Sequence, residues 1–421
     1  MGQRRSRAKN VSTYRLRKVL SAYGKLEEHV LLMIKAEFFV QLIGAAFFLI
    51  LNIFLAKQGF SDPEIANFIS YRFLAVMVLA FPLGFFIKGK ALKPFFMIGS
   101  LGVPTVAILL VLAVNHHCHN YLPVLFILWG VVFTCFQVSS LPYVMRNTAT
   151  EKQSHAISLN YATHSFGTIA SGIIIFALSK LPTLKMDEGT ALIVISVTGY
   201  WGVRYLFKLK VDKVVPVTRA LKWKFYDWDL LLKAIVPTLI IAIGAGLTIP
   251  FINLFFFHNF EVDSSDFALI GGTASLLVAI TALLVPNVKK KLGFKKGITL
   301  TQSIAVLALV ALATTEFFTN YWWALPIAVL CFWIRTPLMN MAAPMTSELT
   351  MNYVGEKNQE MLSAVMAAIW SGSWYFSSQI FRFLTEAGLP YAYIFYITAA
   401  LYAFGVFMYY LLILEYEKKD D

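Results

Sequence analysis

The chain has 421 residues, 58% of them apolar and 14% charged, with a mean hydropathy of +0.67. An ordinary soluble protein carries about 25% charged and about 45 to 50% apolar residues, so a soluble fold is excluded, and uninterrupted apolar runs of about 18 residues or more demand transmembrane helices. The 36 Lys and Arg against 23 Asp and Glu give a net charge of +13, whose meaning depends on where it lies. Three cysteines, Cys118, Cys135 and Cys331, supply neither a disulfide framework nor a paired zinc motif.

The N-terminal segment, residues 1–28, is basic. Val11, Tyr14, Leu16, Val19, Leu20, Tyr23 and Leu26 alternate with Arg15, Arg17, Lys18 and Lys25 at roughly helical spacing, which suits a helix lying in an anionic membrane surface; a basic tail that only sets topology is the alternative. The apolar stretch after it is too long for a signal-peptide core and reads as a retained first span. Twelve spans follow near residues 30–56, 67–87, 94–114, 121–145, 155–179, 189–208, 231–257, 266–287, 298–317, 322–347, 360–384 and 390–415. They divide the chain into a bundle over 29–208, a linker over 209–230, a second bundle over 231–415 and a tail over 416–421.

With an even count, both termini and alternate loops share one side. That side holds 27 Lys and Arg, against Lys57, Lys180 and Lys185 opposite. The positive-inside rule therefore places both termini in the cytoplasm, with the plasma (inner) membrane the expected location. The same asymmetry accounts for the net charge, so the bilayer is the expected macroscopic partner and no nucleic-acid partner is expected.

An internal repeat divides the spans into two sets of six. Glu151 to Ser158 can be laid on Glu356 to Ser363 at an offset of 205, which also brings Gly167 onto Gly372. Pro82 falls on Pro286 at an offset of 204, and Asn52 on Asn253 at 201. Parallel halves joined by a basic linker are one of the known transporter layouts.

Over nearly its whole length the chain resembles a major facilitator superfamily transporter. Tyr71-Arg72 through Ala80-Phe81-Pro82-Leu83-Gly84, then Lys88, Lys90 and Lys93, resembles the family signature between helices 2 and 3, although Lys88 stands where an Asp is expected. The counterpart, Pro286-Asn287-Val288 and then Leu292-Gly293-Phe294-Lys295-Lys296, fits better, as does the run holding Arg335, Pro337, Pro344 and Glu348. The resemblance implies an all-α polytopic membrane protein of twelve transmembrane helices in two pseudo-symmetric six-helix bundles. It further implies that helices 1, 4, 7 and 10 line a central cavity, that 2, 5, 8 and 11 join the halves, and that Gly84, Lys88, Lys90, Gly293 and Lys295 belong to gating loops.

Several residues invite a site. Arg335 lies about 12 residues, roughly 18 Å, inside span 10, where a charge costs at least about 2.5 kcal/mol and calls for a cavity, a carboxylate or an anionic substrate. Glu37 in span 1 is a carboxyl within a cavity helix, a candidate protonation switch whose contact with Arg335 would form and break across the cavity. His164, about ten residues into span 5, is a second proton-coupling candidate. Gln41, Gln137, Asn253 and Asn340 are candidate substrate hydrogen-bonders or interhelical ties. Trp370 and Trp374 share one face of span 11 and can stack on a ligand or simply pack. His116, His117, Cys118 and His119 carry metal-ligand chemistry, with His258 a further donor, but consecutive side chains rarely converge on one ion, and no metal site is expected.

The expected protein is a secondary active transporter that moves a small anionic or zwitterionic organic solute by alternating access, driven by protons. The chain contains no nucleotide-binding loop, no cofactor is expected, and a monomer suffices as the transport unit. Export of lipid or amphipathic molecules and transition-metal transport are the alternatives. A membrane-embedded enzyme would need clustered catalytic residues at the membrane surface, and none is evident, so the chain is expected not to be an enzyme.

Overall fold

A bilayer offers no water to the backbone, so each apolar run must satisfy its own N–H and C=O groups and folds as a helix. The computed structural model describes residues 26–87, 89–149, 152–180, 186–209, 226–282, 284–355 and 358–420. Five helices open the chain: α1 (Glu28–Lys57), α2 (Asp62–Phe86), α3 (Lys93–Asn115), α4 (Leu122–Asn147) and α5 (Gln153–Lys180). The sixth, α6, is Glu188–Thr198 continued past Gly199 by Tyr200–Phe207. The seventh, α7, runs Trp228–Thr248, tightens into a 3-10 turn at Ile249–Phe251 and resumes as Ile252–Phe260. Then come α8 (Ser264–Ala282), α9 (Val285–Thr314), α10 (Ala324–Val354), α11 (Gln359–Glu386) and α12 (Tyr391–Asp420).

No strand occurs among the described residues. Eleven of the twelve helices are long and apolar enough to cross a membrane. The exception, α11, carries Ser371, Ser373, Ser377, Ser378, Gln379 and Arg382, of which Ser377, Gln379 and Arg382 bond to other helices. α1 and α7 are the most enclosed, as expected of helices apolar on every face.

Three expectations need correction or restriction. α9 starts at Val285, not near 298, because the basic stretch Lys289–Lys296 is itself helical on both sides of a kink at Gly293. Gly293 has φ 66° and ψ −174°, a conformation that essentially only glycine adopts. At the far end, α12 continues to Asp420, so residues 416–420 extend the helix instead of forming a tail. Lys88, the basic segment 1–25 with its interfacial helix, and positions 210–225 of the linker lie outside the described residues.

Candidate transport site and the seam between the halves

The halves meet through α2 on α11, α5 on α8, and α1 on α7 and α8, close to the pairing that the resemblance implies. The α5–α8 crossing is tight because glycines face each other. A Cβ on Gly172 would collide with the Ala268 carbonyl and approach Gly272 Cα at 3.2 Å, so only a small residue permits this approach.

The polar bonds across the seam gather at the end remote from the termini. Lys57, closing α1, donates across the seam to Asp263 and, within its own half, to Glu188 of α6, each at 2.6 Å. Ser264 donates to the same Glu188 carboxylate, and Lys180 reaches Asp266 at 3.2 Å. Asp62, opening α2, receives the Tyr391 hydroxyl and pairs with His258 Nε2 at 2.9 Å. Around this last group lies a cleft of about 510 Å³ bounded also by Phe60, Glu316 and Leu389. One turn or more deeper, Gln379 donates to Asn67 at 3.2 Å and to Ser70 at 2.6 Å, and Arg382 donates to Asn67 at 3.3 Å.

Beneath these surface pairs, two buried asparagines form a reciprocal tie. Asn52 Nδ2 donates to the Pro250 carbonyl at 2.6 Å and to Asn253 Oδ1 at 3.1 Å, while Asn253 Nδ2 donates to the Leu49 carbonyl at 3.2 Å. The two residues that the repeat sets in register thus touch across the pseudo-symmetry, each reaching the other half's backbone. Asn253 is therefore an interhalf tie here.

Within the N-terminal half, Glu37 is 3% exposed. Ser140 Oγ of α4 lies 2.9 Å from Glu37 Oε2 and 2.8 Å from Asn160 Oδ1 of α5, and Gln41 bonds the same carboxyl from one turn along α1. Glu37 and Gln41 are therefore brought together, with Ser140 as a link that sequence reasoning missed. His164 keeps an exposed surface although protein surrounds most of it.

Within the C-terminal half, Arg335 is also 3% exposed. It donates through Nη2 to the Tyr402 hydroxyl of α12 at 2.8 Å, and its guanidinium lies 5.7 Å from that ring. Tyr402 in turn covers Gly244 of α7, so Arg335 sits inside one bundle among α7, α10 and α12. The expected contact between Glu37 and Arg335 is not formed. Each is buried in its own half with neutral partners, and Arg335 Nε has no acceptor among the described residues.

The remaining candidates are dispersed. Gln137 and Asn340 are exposed, and Asn340 donates to the Thr336 carbonyl one turn back. Trp374 meets Phe73 of α2 edge-on at 5.0 Å, whereas Trp370 is exposed. Gly84 lies in the last turn and a half of α2, Lys90 sits 3.1 Å over the Phe86 ring, and Lys295 lies 5.1 Å over Tyr410. His116, His117, Cys118 and His119 are exposed, and among the described residues no three His, Cys, Asp or Glu side chains converge as a metal site would require.

Twelve helices in two halves, tied across α2–α11 and α5–α8 with deep polar groups in each bundle, define a multi-pass membrane transporter. The family model described as Major Facilitator Superfamily matches residues 36–378, and the chain belongs to that family: it is an integral membrane transporter of some substrate. No curated protein sequence matches it. Its fold is similar to that of the nucleoside transporter NupG (TM-score 0.72, 12% identity, 91% of this chain and 99% of that one). It is also similar to a D-xylose–proton symporter (0.70, 11%, 90% and 96%). A third likeness is to a bacterial homologue of the iron transporter ferroportin in an inward-facing state (0.69, 14%, 91% and 98%).

Proposed function

We propose that the protein is a proton-coupled secondary transporter of a small organic solute, anionic or zwitterionic, that works by alternating access with both termini in the cytoplasm. The observation that carries this reading is the Glu37 carboxyl, buried in a membrane span and bonded to neutral side chains of α1 and α4. The Ser140 hydroxyl has one hydrogen to give but two oxygen partners, Glu37 and Asn160. The second bond needs a hydrogen from the Asn160 amide or from a proton on Glu37. Gain and loss of that proton would rearrange a knot joining three helices of one half, which is a direct route from protonation to movement of that half. The concentration of interhalf bonds at the end remote from the basic loops supports a state open toward the cytoplasm.

The test is uptake of radiolabelled organic acids into proteoliposomes under an imposed pH gradient, set beside counterflow exchange without one. Glu37→Gln, which mimics the protonated carboxyl, should abolish gradient-driven accumulation and leave counterflow largely intact. Equal loss of both, or of neither, would remove Glu37 from the coupling role. The same pair of assays on His164→Gln should leave gradient-driven uptake in place.

A further inference from the structure

Arg335 is not the only arginine at mid-depth. Arg72 follows Asp62, the first residue of α2, by ten positions, which is about 15 Å along the helix in a hydrocarbon core about 30 Å thick. Its guanidinium is caged by rings: Cζ stands 4.3 Å from the Trp129 ring centre, 5.2 Å from Phe133 and 5.8 Å from Phe73. Each ring offers its face to the cation. The five N–H donors lie in its plane, and among the described residues they meet no carboxylate, carbonyl or hydroxyl. The residue is only partly buried.

A second unmatched donor stands close by on the other half. Trp374 Nε1 is buried with no acceptor among the described residues, and neither has the hydroxyl of Ser373 beside it. The Trp374 and Phe73 ring centres are 5.0 Å apart, so Arg72 and Trp374 both lie within 6 Å of one ring. Two donors, one charged and one neutral, thus stand around the Phe73 ring where α2 meets α11, with no acceptor among the described residues. An unneutralised guanidinium at this depth is costly, and a carboxylate matches its fork in bidentate geometry.

We propose that Arg72 is the anion anchor of the transported solute, an organic carboxylate with a flat apolar body, and that Trp374 completes the site from the opposite half. The proposal rests on the solute-transporter reading and names its substrate class. A ligand held by α2 of one half and α11 of the other touches both moving bodies, so its binding depends on how they sit together. Arg335 gives Nη2 to Tyr402 and keeps an unmatched Nε, but at 3% exposure it is enclosed within its own bundle and has no opening to a solute.

Binding of benzoate to the purified full-length protein, measured by titration calorimetry beside its neutral isostere benzamide, tests this. Wild type should bind benzoate at least about tenfold more tightly than benzamide, and Arg72→Gln should lose at least about tenfold of that affinity, the scale of a charge-assisted hydrogen bond. Arg72→Lys keeps the charge without the fork and should fall between, which keeps the test decisive if the glutamine variant does not fold. Trp374→Phe should weaken benzoate severalfold. Unchanged benzoate affinity in the Arg72 variants, loss in Arg335→Gln alone, or no benzoate binding by wild type would overturn the anchor. Gradient-driven uptake of a neutral or cationic solute without benzoate binding would sink the anchor and spare the transporter reading. Benzoate binding through Arg72 without coupled uptake would do the reverse.

Discussion

The two deep arginines differ in what surrounds them, and the difference bears on which of them a solute can reach. Arg335 is almost fully enclosed in the C-terminal bundle, holds Tyr402 at 2.8 Å and lies against the same ring. Arg72 is half-buried at the seam, has three aromatic faces and has no acceptor among the described residues. Depth alone marks both as costly. What tells them apart is access: Arg335, whose Nε also has no acceptor among the described residues, is enclosed, whereas Arg72 keeps exposed surface.

The largest effect should come from removing the partner that Arg335 does have. Tyr402→Phe leaves a buried guanidinium without its acceptor and should lower stability by about 1.5 to 3 kcal/mol, the value of a hydrogen bond to a charged group, read as a fall in thermal unfolding temperature in detergent. Arg72→Gln should cost much less, because it breaks no hydrogen bond within the described residues. A fall of equal size in both variants would make both arginines structural and erase the contrast.

A second contrast sets the asparagine tie against the surface ion pairs above it. Asn52→Ala strips the Pro250 carbonyl and the Asn253 side chain of their partner in a buried place, at about 1 to 3 kcal/mol. Because those bonds cross the seam, the loss should appear mainly as a shift toward the state open at the remote end, about 5- to 150-fold in population. A cysteine placed at Ala268, buried against Gly172, in a background lacking Cys118, should then react faster with a maleimide added from that side. No change in labelling would mean that the tie contributes nothing to closure.

Much of the architecture was legible because the bilayer leaves few choices. Twelve apolar runs became twelve helices, and the Asn52 and Asn253 register, found only as a repeat offset, turned out to be a physical contact. The misreadings have local causes. The Lys289–Lys296 stretch looked like a loop because lysines break hydropathy, yet lysines form helix well, and the one glycine merely kinks it. Arg335 was legible by depth and its role was not, since Tyr402 lies 67 positions away. Arg72 has the same depth signal, ten residues into its span, but in sequence it served only as part of a motif match. That Trp129 and Phe133 cage it depends on how α4 packs on α2, which periodicity does not encode.

The surface ion pairs should matter least, and their pH dependence gives the sign. The Lys57 ammonium holds the Asp263 carboxyl below the usual carboxylate range, the hydrogen bond outweighing the desolvation that opposes it. A carboxyl so depressed favours the closed seam while ionised, above about pH 4 where a free Asp has lost its proton. That contribution disappears as pH falls through the lowered value. The pair is half exposed, so solvent screening holds it to about 0.2 to 1 kcal/mol, less than the asparagine tie. Maleimide reactivity at the Ala268 cysteine should therefore be flat from pH 8 to 5, within the reagent's own pH response, and Lys57→Met should raise it by no more than about fivefold. A larger rise would move the main latch from the buried asparagines to the surface.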